Sequence, residues 1–488
     1  MQKFQLRKPI LAAVGACAIG ISPGIVLADN AQDIQQLKDQ VRVMQQKIDD
    51  LSNQQEPAKP AAKAASGSNG SLTFAGVTLY GTVDLGVAYL THGAPLSQSW
   101  GPGLPYFVQN FSNHSILSVS GNGLSQSKVG ISGVEPLFGD LTGVFRAETG
   151  FNPWSGRLTD GPASLASDNG RSAATKISAG DSSRAGQAFN GVVYAGISSK
   201  SLGTLTFGRQ NGLMLDMLGK YDPQLQAQAF SPIALSGTSG GLGDTQSNRL
   251  DNSVKYVLNF GPAHVAYMHG FGSDGYVPEN SNELNVGAEF GGFSIDALYG
   301  LVHGEVAAAS LNAAQALSMP VGSLAATISD NTGYSLQMSY NAKEYFPVKL
   351  YGGWERIKYN NPEHTIPAGS IDIGGYLLSV TNNTAFNIQK IFVISWIGAR
   401  WSVTPQLDLT LAGYGYNQKS FAANGCTNTS ATSCAGELHD ISLVSDYHFT
   451  KRFDTYAGVN YSTVSDGLAS GFLFKNDWTP MVGVRFNF

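Results

Sequence analysis

Residues suited to covalent or metal chemistry are few in this sequence, and none has the spacing that such chemistry needs. The chain of 488 residues has eight histidines, but no G-x-S-x-G motif and no histidine, cysteine or carboxylate set at metal-ligand spacing. We therefore expect no enzymatic activity, no metal and no other cofactor. Cys17 lies in a leader segment, whereas Cys426 and Cys434 flank the polar loop TNTSATS and are expected to form a disulfide.

Charged side chains that alternate with apolar ones give more information about function than these residues do. Four of them are Lys128, Arg146, Glu148 and Lys255, which stand beside apolar residues such as Phe145. Successive residues of a β-strand point to opposite faces, so these charges are expected on the polar face of strands whose other face is apolar. Fixed charges on such a face act through their electric field rather than through bond-making chemistry.

The elements that position these charges are short alternating segments. The closing stretch NDWTPMVGVRFNF alternates strictly from Val482 onward, and similar segments recur to a total of sixteen. They are near Gly76 to Tyr89, Gln126–Pro136, Leu141–Phe151, Phe189–Ser199, Gly203–Asp216, Asn252–Phe260, Ala263–Gly270, Asn282–Phe290, Phe293–Gly304, Gly333–Asn341, Val348–Tyr359, Lys390–Val403, Leu407–Gln418, Glu437–Phe449, Phe453–Tyr461 and Asn476–Phe488.

Composition favours a membrane barrel over a soluble sandwich. Charged residues are only 13%, glycines number 58, and no apolar run of 18 residues follows residue 28. Connections between segments are alternately tight and long, which is typical of outer-membrane barrels. We predict an all-β fold, a 16-stranded antiparallel transmembrane β-barrel, apolar outside and hydrated inside. The net charge of −5 gives no reason to expect nucleic acid.

One segment fits this pattern poorly. Lys390–Val403, with the sequence KIFVISWIGARWSV, is apolar on both faces. A strand buried at a contact between subunits would explain the second apolar face.

The N-terminal region is predicted to contain three further parts. Residues 1–28 have the basic start, apolar run and small-residue cleavage site of a signal peptide; an uncleaved anchor and a poor lipoprotein box ending at Cys17 are the alternatives. Residues 29–52 contain a heptad seam from Ile34 to Leu51, which predicts a short periplasmic α-helical coiled coil; a lone amphipathic helix is the alternative. Residues 53–72 are a Pro/Ala/Gly/Ser-rich flexible linker, and residues 73–488 form the barrel.

Several stretches resemble one known family. VTLYGTVDLGVAYL, SKVGISGVEPL, LTGVFRAETGFN, FNGVVYAGISSKSLGTLTFGRQ, RLDNSVKY and VGVRFNF are similar, in this order, to the general porins of Gram-negative outer membranes. The resemblance implies a homotrimer in the outer membrane, in contact with lipids and lipopolysaccharide. It also implies a water-filled channel for passive diffusion of small hydrophilic solutes and ions.

The resemblance also implies a constriction. The third long loop, here Met217–Ser247, would fold into the barrel, and its acids Asp222 and Asp244 would face Lys128, Arg209 and Arg249 on the wall. Arg146, Glu148 and Lys255 would join them on the inner face.

Arg209 is expected to need a backbone irregularity to reach the interior. Alternation from Leu205 and Phe207 places it on the lipid side, so we expect a bulge at Gly208 to turn it inward. With few acids on the loop, a mild preference for anions follows.

Two other functions remain open at this stage. One is a substrate-selective channel for phosphate, sugars or organic acids, of which the basic residues suit the anions. The coiled coil at 29–52 suits a tether from the outer membrane to peptidoglycan, with conduction secondary.

Overall fold

The computed structural model describes residues 42, 65–66, 72–95, 106–177, 184–235, 249–272, 280–343 and 345–488. The chain divides into one unit at residues 1–63 and another at residues 64–488. In the first unit only the helical Arg42 is described. The signal peptide, the coiled coil and most of the linker therefore lie outside the described residues and stay predictions.

The described strands and helices follow in chain order. The strands are β1 (Ala65–Ser66), β2 (Leu72–Phe74), β3 (Val77–Gly93), β4 (His114–Gly121), β5 (Lys128–Pro136), β6 (Thr142–Gly150), β7 (Val193–Ser199), β8 (Gly203–Asn211), β9 (Arg249–Phe260), β10 (Ala263–Gly270), β11 (Ser281–Phe290), β12 (Phe293–Ala309), β13 (Leu324–Asn341), β14 (Val348–Asn360), β15 (Asp372–Ile373), β16 (Tyr376–Asn382), β17 (Lys390–Thr404), β18 (Leu407–Gln418), β19 (Gly436–His448), β20 (Phe453–Asp466) and β21 (Asn476–Asn487). The helices are α1 (Gly161–Ser167), α2 (Leu213–Tyr221) and α3 (Ala313–Ser318). No helix among the described residues is both long and apolar enough to span a bilayer.

Sixteen strand positions form a closed antiparallel ring, as the alternation predicts. β3 pairs with β5 over its first half and with β4 over its second, so β4 and β5 share one position. Antiparallel pairing then continues around the ring to β21, which pairs back onto β3 from Thr82 to Ala88. Gly81 and Phe488 exchange both backbone hydrogen bonds, at 2.9 and 3.0 Å. The predicted 16-stranded barrel is confirmed.

Side-chain burial follows the period of two. In β19, Ile441 and Leu443 are about half exposed at 53% and 49%, while Asp440 and Ser442 are buried at 4% and 1%. The outward residues are therefore apolar and the inward ones polar, which is the arrangement of a barrel whose outer surface meets lipid. The disulfide between Cys426 and Cys434 is also present.

The segment boundaries differ from the sequence prediction at several long connections. β4 lies in the expected loop Thr91–Ser125, and β12 and β13 extend to Ala309 and from Leu324 into the expected loop Glu305–Thr332. Between β14 and β17, β16 runs parallel to the first residues of β13. The expected linker at 53–72 also includes β1 and the first residue of β2, which pair with each other. These pieces gain hydrogen bonds from neighbouring strand ends that no local pattern reveals.

The barrel interior is apolar in part, contrary to the expectation of a uniformly hydrated lining. Phe392, Ile394 and Trp396 of β17 are buried inside the barrel at 3%, 0% and 4% exposure. Trp396 Nε1 donates a hydrogen bond to the carbonyl oxygen of Tyr221 in α2, at 3.1 Å. Trp396 contacts the end of α2, and the Phe392 ring packs against the Tyr416 ring at 5.8 Å. Contacts inside the barrel therefore account for these apolar residues, and a subunit contact is not needed to explain that face.

Candidate functional site

The connection after β8 folds into the barrel through helix α2. The expected strand Gly203–Asp216 ends at Asn211, because the sequence from Leu213 is apolar on most sides and forms a helix instead. Six apolar residues of α2 are buried, namely Leu213, Met214, Leu215, Met217, Leu218 and Tyr221. The Gly212 cap offers no side chain, and Glu283 of the wall accepts the Leu213 N–H at 2.5 Å instead. A carboxylate at a helix N-terminus is favoured by the helix dipole.

The rest of this loop reaches the opposite wall. Asp222 accepts a hydrogen bond from the Tyr414 hydroxyl at 2.7 Å, and Gln224 donates to Ser442 Oγ at 2.8 Å. Further along, the Phe230 ring meets the Tyr456 ring edge-on at 6.4 Å. The loop therefore crosses the interior, as the family resemblance implies. Burial raises the pKa of the Asp222 carboxyl.

The structure does not bring Asp222 to the basic wall residues. Asp222 accepts hydrogen bonds from the Tyr414 hydroxyl and from the backbone N–H groups of Gln224 and Gln226. It fastens the loop rather than facing the cations. Asp244 lies outside the described residues.

Four side chains with charge meet on the wall where β5 and β6 adjoin; we call them the Glu148 cluster. Glu148 Oε2 lies 3.1 Å from Lys128 Nζ and 2.8 Å from an Arg146 terminal nitrogen. Glu148 Oε1 lies 3.4 Å from Arg184, the fourth member. The structure thus unites three residues predicted from the sequence and adds Arg184, which the sequence reasoning missed.

The four members of the Glu148 cluster differ in solvent exposure. The side chains of Lys128 and Arg146 are 31% and 35% exposed, whereas those of Arg184 and Glu148 are 3% and 4% exposed. Lys128 and Arg146 are the two that present charge to water. Burial lowers the pKa of Arg184 to about 10, Glu148 opposes that change and the charge of Arg209 adds to it. Arg184 therefore remains a cation at neutral pH.

Arg209 lies at the irregularity that was expected near Gly208. Gly208 pairs with Ser253 but Gln210 pairs with Leu250, so two residues of β9 stand opposite Arg209 alone. Gly208 has φ +132°, and a Cβ there would approach the Val193 carbonyl oxygen to 2.2 Å. The extra residue of the bulge is in β9 rather than in β8.

The guanidinium of Arg209 is held by three groups. It bonds to Asp251 at 2.6 Å and to the carbonyl oxygens of Gly191 and Asn190 at 2.8 and 3.2 Å. Its side chain is only 13% exposed, so it presents little charge to water directly.

Lys255 and Arg249 lie at the base of the infolded loop. Lys255 Nζ bonds to Asp216 Oδ2 and to the Asn211 carbonyl oxygen, both at 2.6 Å. Arg249 is half-buried and lies within electrostatic reach of Arg184, Arg209, Glu148 and Asp216. Lys220 of α2 is a further cation that the sequence reasoning missed; it pairs with Glu289 and Asp296 of the wall at 2.6 and 3.3 Å.

The comparisons with known proteins agree with this geometry. The family model described as Gram-negative porin matches residues 60–467, most of the chain. The chain belongs to the Gram-negative porin family. This membership and the closed barrel place the protein in the outer membrane.

One curated relative shares part of the porin's sequence. An outer membrane porin protein of Bordetella pertussis is 28% identical over 201 residues, which cover 40% of this chain and 42% of that protein. The match thus spans about two fifths of the relative's length.

Solved structures share the porin's fold at low sequence identity. An anion-selective porin from Comamonas acidovorans has a TM-score of 0.53 at 19% identity, covering 84% of this chain and 99% of that one. The trimer form of OmpT from Vibrio cholerae has a TM-score of 0.51 at 15% identity, covering 84% and 99%. At such identities the likeness shows the fold alone.

The charges on this side of the porin do not balance among the described residues. Five cations, Lys128, Arg146, Arg184, Arg209 and Arg249, stand with two carboxylates, Glu148 and Asp251. Lys255 and Asp216 neutralise each other. The site has an excess of three positive charges beside the loop that crosses the barrel.

Proposed function

We propose that the protein is an outer-membrane channel for passive diffusion of small hydrophilic solutes and ions, with a mild preference for anions. The observation that carries this proposal is the pair of partly exposed cations, Lys128 and Arg146, on the inner face of the barrel wall. Low-dielectric walls focus the field of such charges into the passage, so a small local excess outweighs the net charge of the whole chain. Lys128, Arg146 and Glu148 thus act as a set, with Arg184 as a buried supporting charge.

The experiment is a reversal potential measured across a planar bilayer in a KCl gradient. We expect the wild-type sign to indicate chloride preference, and the double variant K128Q/R146Q to shift the potential toward zero. The matched control K200Q/K451Q also removes two charges, both at exposed turns between strands, and should leave the potential unchanged. A wild-type preference for potassium would contradict the proposal, as would an unaltered potential in the double variant.

The assembly and N-terminal roles are part of the same proposal. A homotrimer is supported by the trimer form of the OmpT structure, which has the same fold. Contact with lipid and lipopolysaccharide rests on the family's place in the outer membrane alone. Peptidoglycan contact through residues 29–52 rests on the heptad pattern alone. Deleting residues 29–70 and measuring trimer heat stability and association with cell-wall material tests both roles of that segment.

A further inference from the structure

A cavity of about 590 Å³ opens at the rim that carries the long loops. We call it the vestibule cavity. It is lined by residues from the ends of β12, β13, β14, β17, β18, β19 and β20 and from the connections at 108–111, 385–386 and 467–472. Asn110 and Asn382 on its border are exposed, so the cavity is open to solvent. Its size is that of a small-molecule site.

Aromatic rings form much of the cavity lining. Six aromatic residues line it, namely Phe111, Tyr359, Phe386, Phe392, Phe421 and Phe472. The first five are at most 9% exposed, so their rings are fixed by the surrounding side chains. The rings of Phe386 and Phe421 meet edge-to-face at 5.7 Å. Such a lining favours a planar apolar body that can stack against it.

A lysine ammonium lies among these rings. Lys390 is 8% exposed, and its Nζ lies 4.9, 5.2 and 5.9 Å from the ring centroids of Tyr359, Phe392 and Phe421. The rings hold the ammonium in place by cation–π attraction. Lys176 is a second cation in the lining. None of the described residues that line the cavity is acidic.

We propose that the vestibule cavity binds a small organic anion with an aromatic ring, such as an aromatic carboxylate. The carboxylate would pair with the Lys390 ammonium while the ring stacks among Phe386, Phe392 and Phe421. An anion without a ring would gain only the ion pair, and a neutral aromatic molecule only the stacking. A ring-bearing anion gains both, which sets the chemical class.

The site would act before the constriction. Phe392, Tyr359 and Leu438 of the cavity belong to the same buried cluster as Met214 and Leu218 of α2. The cavity floor is therefore continuous with the infolded loop, and a bound anion would rest above it. The inference goes beyond general diffusion, because it assigns a saturable site to the same channel.

The test is block of single-channel current by sodium benzoate, added separately to each side of the bilayer. We expect half-block at a concentration about tenfold lower than for sodium acetate or benzyl alcohol, which corresponds to about 1.4 kcal/mol. K390Q should raise the benzoate concentration for half-block about tenfold, because it removes the ion pair but keeps a polar side chain that is one atom shorter. The matched control K419Q removes an exposed charge at the same rim and should change the value less than about twofold.

A second variant keeps the test decisive if K390Q does not fold. F421L retains the lysine and removes one ring, so the ratio between acetate and benzoate concentrations should fall toward one. Wild-type potency in K390Q would overturn the proposal, as would equal block by benzoate and acetate in the wild type. Calorimetric titration of the detergent-solubilised protein with benzoate measures binding to the cavity without any ion current. A failure of the proposed channel function is therefore distinguishable from a failure of the proposed benzoate site.

Discussion

Replacing Asp222 with alanine should loosen the far half of the infolded loop without releasing α2. The change removes the acceptor for the Tyr414 hydroxyl and for the backbone N–H groups of Gln224 and Gln226. A buried donor left without a partner costs about 1–3 kcal/mol, so three cost about 3–9 kcal/mol. Loss of the buried carboxyl itself offsets part of this, which places the net cost near the lower end.

Burial of the apolar side chains of α2 contributes more free energy than the Asp222 substitution removes. Six buried apolar side chains of α2, at about 1.5–3 kcal/mol each, contribute about 9–18 kcal/mol. The loss at Asp222 is therefore too small to free α2, and only the segment from residue 222 to residue 235 should gain motion. We expect single-channel recordings of D222A to show increased current noise at nearly unchanged mean conductance.

Two variants calibrate this result. Y414F removes one hydrogen bond at about 1 kcal/mol and should give a smaller increase in noise. D372A removes an exposed carboxylate in the loop hairpin and should give none. Unchanged noise in D222A would show that Asp222 does not fasten the loop. A several-fold rise in conductance would show instead that the apolar contacts of α2 do not hold it.

Two further predictions concern backbone geometry and pH. G208A should lower the temperature at which the barrel unfolds in detergent, because φ +132° and a 2.2 Å approach of the added Cβ to the Val193 carbonyl oxygen leave no room for a methyl group. The control is G413A, whose added Cβ would have its nearest neighbour at 4.0 Å. Equal unfolding temperatures in the two variants would refute the reasoning. Burial raises the pKa of Asp168 from 3.8 to about 6, so the stability that its protonation adds is complete below pH 3.8 and lost as pH rises through about 6. Protease cleavage between residues 151 and 177 should therefore increase over that interval in the wild type and stay flat in D168N, which keeps an acceptor for the Ile177 N–H; greater cleavage at the acidic end would contradict this sign.

The alternation of apolar and polar residues was enough to predict the barrel, because the type of each wall residue indicates whether its side chain faces lipid or the interior. The pattern at Ile441 and Leu443 against Asp440 and Ser442 in β19 is local, so it survives without knowledge of any partner strand. β4 escaped prediction because it is short and is followed by a break at Asn122, where φ is +64°. Its place in the ring depends on β3, which no periodicity near residue 114 reveals.

The candidate site was predictable only where charges lie on strands. Alternation placed Lys128, Arg146 and Glu148 on the inner face, and the pairing of β5 with β6 brings them together. Arg184 lies in a Gly/Ser/Ala-rich connection without periodicity, so nothing in the local sequence pattern indicates where its side chain points. The apolar inner face of β17 was assigned to a subunit contact because the loop that Trp396 meets is distant in sequence: Tyr221, which accepts its hydrogen bond, lies 175 positions earlier.

The seam between β3 and β21 places a demand on biogenesis. Thr82 and Asn487 join across it although they are 405 positions apart, and closing a flexible chain segment of that length costs about 5 kcal/mol in configurational entropy. Until β3 and β21 pair, each presents an edge of unpaired backbone N–H and C=O groups to which another unfolded polypeptide can hydrogen-bond. The export machinery that delivers this polypeptide must therefore shield the open edges of β3 and β21 until these two strands have paired.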